Sequence, residues 1–161
     1  MSELAVPKRK VSVRVRLMNK VILEGQIYAA TKTTRGTSEQ VVDRLNDITE
    51  KFLPFAMEDR HILLNKANIV TVEVSGPAAE GEKPYSAGLD HFDLEFWAPD
   101  GAEVPGRAYA LVEPAHSRAL DVINRTSTRF LSLIQDDRVV IVNLEYVVAI
   151  LEKSAIGDGA K

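Results

Sequence analysis

Residues 43–53 read DRLNDITEKFL, and residues 121–131 read DVINRTSTRFL. The two stretches keep Asp, Asn, Phe and Leu in the same order and spacing. At an offset of 78, Asp43, Asn46, Phe52, Leu53, Asp59, Arg60, Asn65 and Val70 fall on Asp121, Asn124, Phe130, Leu131, Asp137, Arg138, Asn143 and Val148. Ile62, Leu64 and Ile69 meet valines. Upstream the offset becomes 81, so that Gly25 meets Gly106 and Tyr28 meets Tyr109. The difference falls between Tyr28 and Asp43, where a loop absorbs it at little cost. Strand propensity does not demand Asp, Asn and Asp-Arg at fixed places. The reading is an internal duplication.

Each unit has the same pattern. VSVRVRL alternates apolar and polar residues, as a half-buried strand does. VILEGQIYAA reads as a second strand, whose internal Gly25 marks a bulge or sharp bend. The turn around Met18-Asn19-Lys20 is matched by Pro99-Asp100-Gly101, which is strong turn chemistry. In TSEQVVDRLNDI the period changes, with Val41, Leu45 and Ile48 at helical spacing, and Thr37 with Gln40 can form a capping box. KFLPFAM, RHILLNK and IVTVEVS are three further strands, repeated as RFLSLIQ, RVVIVNL and VVAILEK. The turns between them are Glu58-Asp59-Arg60 and Lys66-Ala67-Asn68. Five short, bent strands suit a small barrel, because closure removes exposed edges. The expected fold is mainly β: two tandem five-stranded barrels, each with a helix between its second and third strands.

Composition bounds the rest. The 161 residues are 45% hydrophobic and 27% charged, with no cysteine and a net charge of −3. Disulfides, thiolate metal sites and thiol catalysis are thereby excluded. A dedicated nucleic-acid binder usually shows a basic excess, which this chain lacks. The opening MSELAVPKRK holds no long apolar run, so no signal peptide is expected. No stretch approaches the roughly 20 apolar residues that span a bilayer, and a cytoplasmic location is expected. Residues 75–91 are rich in Gly, Pro, Ala and charge, and read as a flexible connection. The expected division is unit one at 1–74, linker at 75–91, unit two at 92–153 and a flexible tail at 154–161.

VRVRLMNKVILEGQIYA resembles the first Sm motif, especially as found in the RNA chaperone Hfq, and ILLNKANIVTVEV resembles the second. The helix carrying Asp-x-Leu-Asn, followed by Phe-Leu, is similar to an uncharacterised bacterial group of Sm-like domains. In unit two, FDLEFWAPDGAEVPGRAYA keeps the shape with little identity. The resemblance implies small barrels that pair the fourth strand of one unit with the fifth of its neighbour. A ring of three chains would then supply six units. It also implies RNA binding, but the chain departs from the pattern there. Hfq uses a Tyr-Lys-His segment where this chain has Leu64-Asn65-Lys66 or Asn65-Lys66-Ala67. The base-binding loop of other Sm proteins is replaced by a helix, so no RNA role passes to Asp43 or Asn46.

The candidate sites are few. Asp43 with Asn46, and Asp121 with Asn124, lie three apart on a helix and so share one face. A polar pocket made twice is one reading. A structural tie from helix end to backbone is the simpler one, since Asp and Asn readily bond nearby backbone. Lys8, Arg9, Lys10, Arg14 and Arg16 could track phosphates, but Arg14 and Arg16 alternate with apolar residues as a solvated strand face does. No aromatics interleave with them, as a single-strand platform needs. Phe92 and Phe96 alternate into a core, leaving Trp97 on the opposite face as a contact anchor. The partner-binding candidates are therefore Trp97, Arg14 and Arg16. His61, His91 and His116 lack partners at metal-ligand spacing, including in Asp90-His91-Asp93. No nucleophile elbow, P-loop or dinucleotide fingerprint is present.

These observations lead to a non-catalytic protein-interaction or assembly module, without cofactor or metal. An RNA-binding Sm-like protein is the alternative. A nucleotide-sensing barrel of the PilZ kind is the second alternative, though its arginine and Asp/Asn-x-Ser-x-x-Gly motifs are absent. Short, apolar strand edges left open invite pairing, so self-association is expected, as a dimer or small oligomer ahead of a symmetric ring.

Overall fold

The computed structural model describes residues 8–31, 38–84, 88–110 and 119–153. Alternation in the first strand, β1 (Lys8–Leu17), works as expected: Val11, Val13 and Val15 are buried while Ser12 and Arg14 are exposed. A turn leads to β2 (Ile22–Ala30), with Asn19 Oδ1 accepting the Val21 N–H at 3.1 Å. The second half repeats this device. Between β6 (Asp90–Trp97) and β7 (Glu103–Ala110), Asp100 Oδ1 accepts the Ala102 N–H at 3.0 Å. Gly101 supplies the positive φ of 88° that this turn requires.

Helix α1 (Val41–Asn46) is shorter than its sequence pattern predicts. Its start is tied by the Asp43 carboxylate, which accepts the Gln40 N–H at 3.0 Å. The proposed Thr37 partner lies outside the described residues. The helix stops because Asp47 captures the Thr49 N–H and hydroxyl at 2.9 and 2.6 Å, a local turn that competes with helical bonding. Ile48, expected on the buried stripe, therefore lies beyond the helix and is 97% exposed. The chain continues through β3 (Phe52–Ala56), β4 (His61–Asn65), a 3₁₀ turn at Lys66–Asn68 and β5 (Ile69–Ser75). In the second half α2 (Ala119–Arg125), β8 (Phe130–Ile134), β9 (Arg138–Asn143), a 3₁₀ turn at Leu144–Tyr146 and β10 (Ala149–Glu152) follow in the same order. Val41 and Ala119, Phe52 and Phe130, and Lys66 and Leu144 each open corresponding elements 78 residues apart.

The ten strands of the described residues belong to one antiparallel sheet in the order β10-β6-β7-β8-β9-β5-β1-β2-β3-β4. The mainly β class and the helix between second and third strands agree with the sequence reading. In place of two separate closed barrels, however, one open sheet runs through both halves. The reason is the β5–β9 pairing, from Thr71 opposite Val142 to Ser75 opposite Arg138. Within each half the order is the same: fifth, first, second, third, fourth.

β9 shows what this joint does. Val139 and Ile141 enter the first core beside Val72 and Val74, while Val140 and Val142 enter the second beside Leu94 and Phe96. A strand buried on both faces reads as a continuous apolar run, which explains RVVIV. Phe130 also sits in the first core. The strand pairing runs in unbroken register through Gly25 and Gly106, with no bulge at either, and both glycines stand where the third strand comes close. A Cβ on Gly25 would lie 2.6 Å from Phe55 Cε2 and against the Ala56 carbonyl, and one on Gly106 would lie 2.7 Å from Leu133 Cβ.

The stretch expected as a flexible connection is partly packed. Residues Gly76–Glu82 form a 3₁₀ helix with Ala79 and Glu82 buried. Glu82 accepts the Val41 N–H at 2.6 Å and pairs with Arg9 at 2.8 Å, holding the start of α1.

Candidate functional site

The joint between the halves is tied by several side chains. Asn46, at the end of α1, acts on the second half as a strand would. Its Nδ2 donates to the Phe130 carbonyl at 3.0 Å, and its Oδ1 accepts the Phe130 N–H at 2.8 Å. Asn143, fully buried at the end of β9, accepts the Glu145 N–H at 3.0 Å and donates to the Ile69 carbonyl at 2.8 Å. Tyr146 donates to the Ala67 carbonyl at 2.5 Å. Arg138 pairs with Glu73 at 3.2 Å, and Arg16 with Asp100 at 3.1 Å.

Among the described residues the sheet has two outer strands, β4 and β10, each paired on one side only. At an offset of 78 they are the counterparts of β9 and β5, the strands that make the joint. Apolar residues in and beside them are correspondingly uncovered. Leu63 is 67% exposed where its counterpart Ile141 is buried, and Val148 is 63% exposed where Val70 is buried. Phe52, Ile150 and Leu151 are also exposed. Exposed apolar edges of this kind mark pairing surfaces.

A groove of about 1450 Å³ lies beside the joint, between the end of α1, helix α2 and β10. Asn124, Val148 and Ile150 line it. Its charged lining is Asp47, Glu50, Glu145 and Glu152 against Lys51, Lys66 and Arg129, a balance that gives phosphate no advantage. Under α1 two of these charged residues, Glu50 and Lys66, meet the buried Arg44. Arg44 donates to Glu50 at 3.0 and 2.8 Å and to the Tyr28 carbonyl. This pairing raises the guanidinium pKa and holds the Glu50 carboxyl below the usual range. Lys66 donates to the Arg44 and Asp47 carbonyls at 2.9 and 2.8 Å, and its burial lowers its pKa.

The sequence candidates separate on this geometry. Asn46 joins the two halves and Asp43 starts α1, whereas Asn124 is exposed and holds no hydrogen bond to any described residue. Asp121 lies in the first turn of α2. Arg16 is occupied by Asp100 and Arg9 by Glu82, while Arg14 stays exposed on β1. Trp97, 42% exposed, donates its indole N–H to Glu95 at 2.8 Å and lies beside Ala149 of β10. That bond lowers the Glu95 pKa, and a hydrogen bond with Glu95 raises that of Glu103. His61 lies 3.5 Å from the Tyr28 hydroxyl, and His91 packs its ring near Tyr109. His116 lies outside the described residues. Among the described residues no group of acidic, His or Cys side chains could hold a metal ion, and no helix is long and apolar enough to cross a membrane.

Sequence reading missed the 3₁₀ clasp of Glu82 and the buried Lys66. Neither has a periodic signal, since each acts from a short turn. No family model, curated protein or solved structure matches the chain.

Proposed function

We propose that this chain is a non-catalytic interaction and assembly module: a duplicated pair of Sm-like five-stranded units that adds strands at its two outer edges. One observation carries the reading. The strands at the ends of the sheet, β4 and β10, are the counterparts of the two strands already paired in the middle, and they expose the residues whose counterparts are buried there. The repeated strand order and the helix between second and third strands support the Sm-like description. RNA binding is less well supported: Arg9 and Arg16 are engaged by carboxylates, and the groove is not basic.

The test sets a pull-down beside a gel shift. Protein captured by the wild-type chain and released by Leu63→Lys with Ile150→Lys supports the module. Submicromolar binding to mixed RNA that weakens steeply with salt would report phosphate contacts and overturn it.

A further inference from the structure

We propose that Met18 is a reversible oxidation site, set where its sulfoxide breaks a tie across the joint between the halves. The inference stands apart from what occupies the outer strands.

The chain has no cysteine and three methionines, Met1, Met18 and Met57, so reversible sulfur oxidation falls to thioethers. Met1 lies outside the described residues. Met57 is half-buried and packs against the first core. Met18, in the turn after β1, is 55% exposed. Its backbone is nonetheless fixed, the Met18 N–H donating to the Asn68 carbonyl at 2.9 Å. The thioether is thus open to solvent while its attachment is held.

What the thioether touches gives its oxidation a consequence. The Tyr146 hydroxyl lies 3.4 Å from Met18 Sδ and 2.5 Å from the Ala67 carbonyl. Tyr146 belongs to the second half, whereas Met18 and Ala67 belong to the first. A hydroxyl carries one proton, and a thioether is a weak acceptor, so in the reduced chain that proton goes to Ala67. The bond links the two 3₁₀ turns, Lys66–Asn68 and Leu144–Tyr146, at one end of the β5–β9 pairing. Neither side chain is repeated. At offsets of 81 and 78 the counterparts of Met18 and Tyr146 are Pro99 and Asn68. The duplicated plan therefore does not require this contact.

A peroxide is the oxidant. The Met18 sulfur lone pair attacks one oxygen of hydrogen peroxide, and the O–O bond breaks as the S–O bond forms. The attacked oxygen gives up its proton to the departing one, which leaves as water. Sulfur loses two electrons and the peroxide gains them. The product is polar where the thioether was apolar, and its acceptor oxygen sits on an atom already in contact with the Tyr146 hydroxyl. It takes the proton from Ala67. A bond between two fixed turns becomes a bond to a flexible side chain, and the end of the β5–β9 pairing loosens.

Amide exchange on the full chain tests this. The Ala67, Ile69, Glu145 and Val147 amides are bonded within the two turns and report their opening. Under limiting hydrogen peroxide, peptide mass mapping should show Met18 gaining oxygen at least about tenfold faster than Met57, as exposure dictates. The reporting amides should then exchange about fivefold faster, the effect of one hydrogen bond lost. Treatment with methionine sulfoxide reductases for both sulfoxide epimers should restore the slow rate. Met18→Leu should hold the slow rate through the same oxidation, which separates Met18 from Met1. Met18→Gln carries a polar acceptor in place of sulfur and should exchange fast without peroxide. Tyr146→Phe removes the hydroxyl, so it should start fast and stay unchanged on oxidation. Circular dichroism confirms that each variant is folded. Faster oxidation of Met57 overturns the inference, as does unchanged exchange in the Met18 sulfoxide. Loosening of Met18→Leu or Tyr146→Phe on oxidation, to the extent seen in wild type, overturns it as well.

Discussion

In the first half, α1 is held by buried charge: Arg44 grips Glu50, and Lys66 reaches the carbonyls of Arg44 and Asp47. In the second half the same three positions are Val122, Thr128 and Leu144, and α2 still lies between β7 and β8. The comparison separates what the backbone plan demands from what it tolerates. Charge under the helix is replaceable, as buried ion pairs often are. The asparagines that bond backbone at strand ends, Asn65 and Asn143, are the same in both halves and form the same cap. What differs is whether a strand lies against them.

That difference yields the largest expected effect. Asn143→Asp places a carboxylate against the Ile69 carbonyl in a site closed to water and should cost about 3 kcal/mol. Asn65→Asp, at a dilution where the chain is single, should cost less than about 0.5 kcal/mol. Urea unfolding of the two variants checks this, and equal losses would break the comparison of closed and open ends.

The strand glycines come next. Gly25→Ala drives a methyl into both the Phe55 ring and the Ala56 carbonyl, and Gly106→Ala meets chiefly the Leu133 Cβ. Overpacking of this kind costs about 1–3 kcal/mol. Gly25→Ala should fall near the top of that range and Gly106→Ala near the bottom, measured as shifts in urea midpoint. A reversed order would show that β8 is the more rigid of the two third strands.

The charged cluster gives the smallest effect. The Glu50 carboxylate is about a quarter exposed, so Glu50→Ala should cost only about 1 kcal/mol, and Thr128→Ala less than about 0.5 kcal/mol. Writing the second half into the first, as Arg44→Val, Glu50→Thr and Lys66→Leu together, should cost less than the single changes summed. The acid limb follows the Glu50 pKa, which Arg44 lowers in the folded chain. Stability from this group is present above the ordinary carboxylate pKa and is lost as pH falls through the folded value. Wild type should therefore lose more stability than Glu50→Gln between about pH 6 and pH 3. Lys66 works at the other end: burial lowers its pKa, so the unfolded chain holds that proton longer, and stability rises with pH through the window. Lys66→Leu should flatten that rise.

Much of the secondary structure could be read from the chain because side-chain periodicity and turn chemistry are local. Val11, Val13 and Val15 announce a strand, and Asn19 and Asp100 announce turns. The end of α1 could not be read from periodicity, because Ile48 continues the spacing while Asp47 breaks the helix through a side-chain bond. The paired echo of Asn46 and Asn124 was visible, and a tie to backbone was the simpler reading of it. That the tie reaches Phe130, 84 residues away, depends on how β5 and β9 meet. The joint left only an indirect trace: RVVIV has no polar face because both of its faces are covered.

The pairing of β5 with β9 also has a consequence in time. When the ribosome has made β5, its partner is still roughly 70 residues away, so at ordinary rates of synthesis the IVTVEVS edge waits roughly 4–14 s. Throughout that interval β5 has no β9 to pair with, and the 3₁₀ clasp at Gly76–Glu82 holds the start of α1. On a crowded message, the β9 of a chain started earlier can reach that edge before the chain's own β9 exists. Slower elongation between the two halves would lengthen the wait and raise the yield of exchanged pairs.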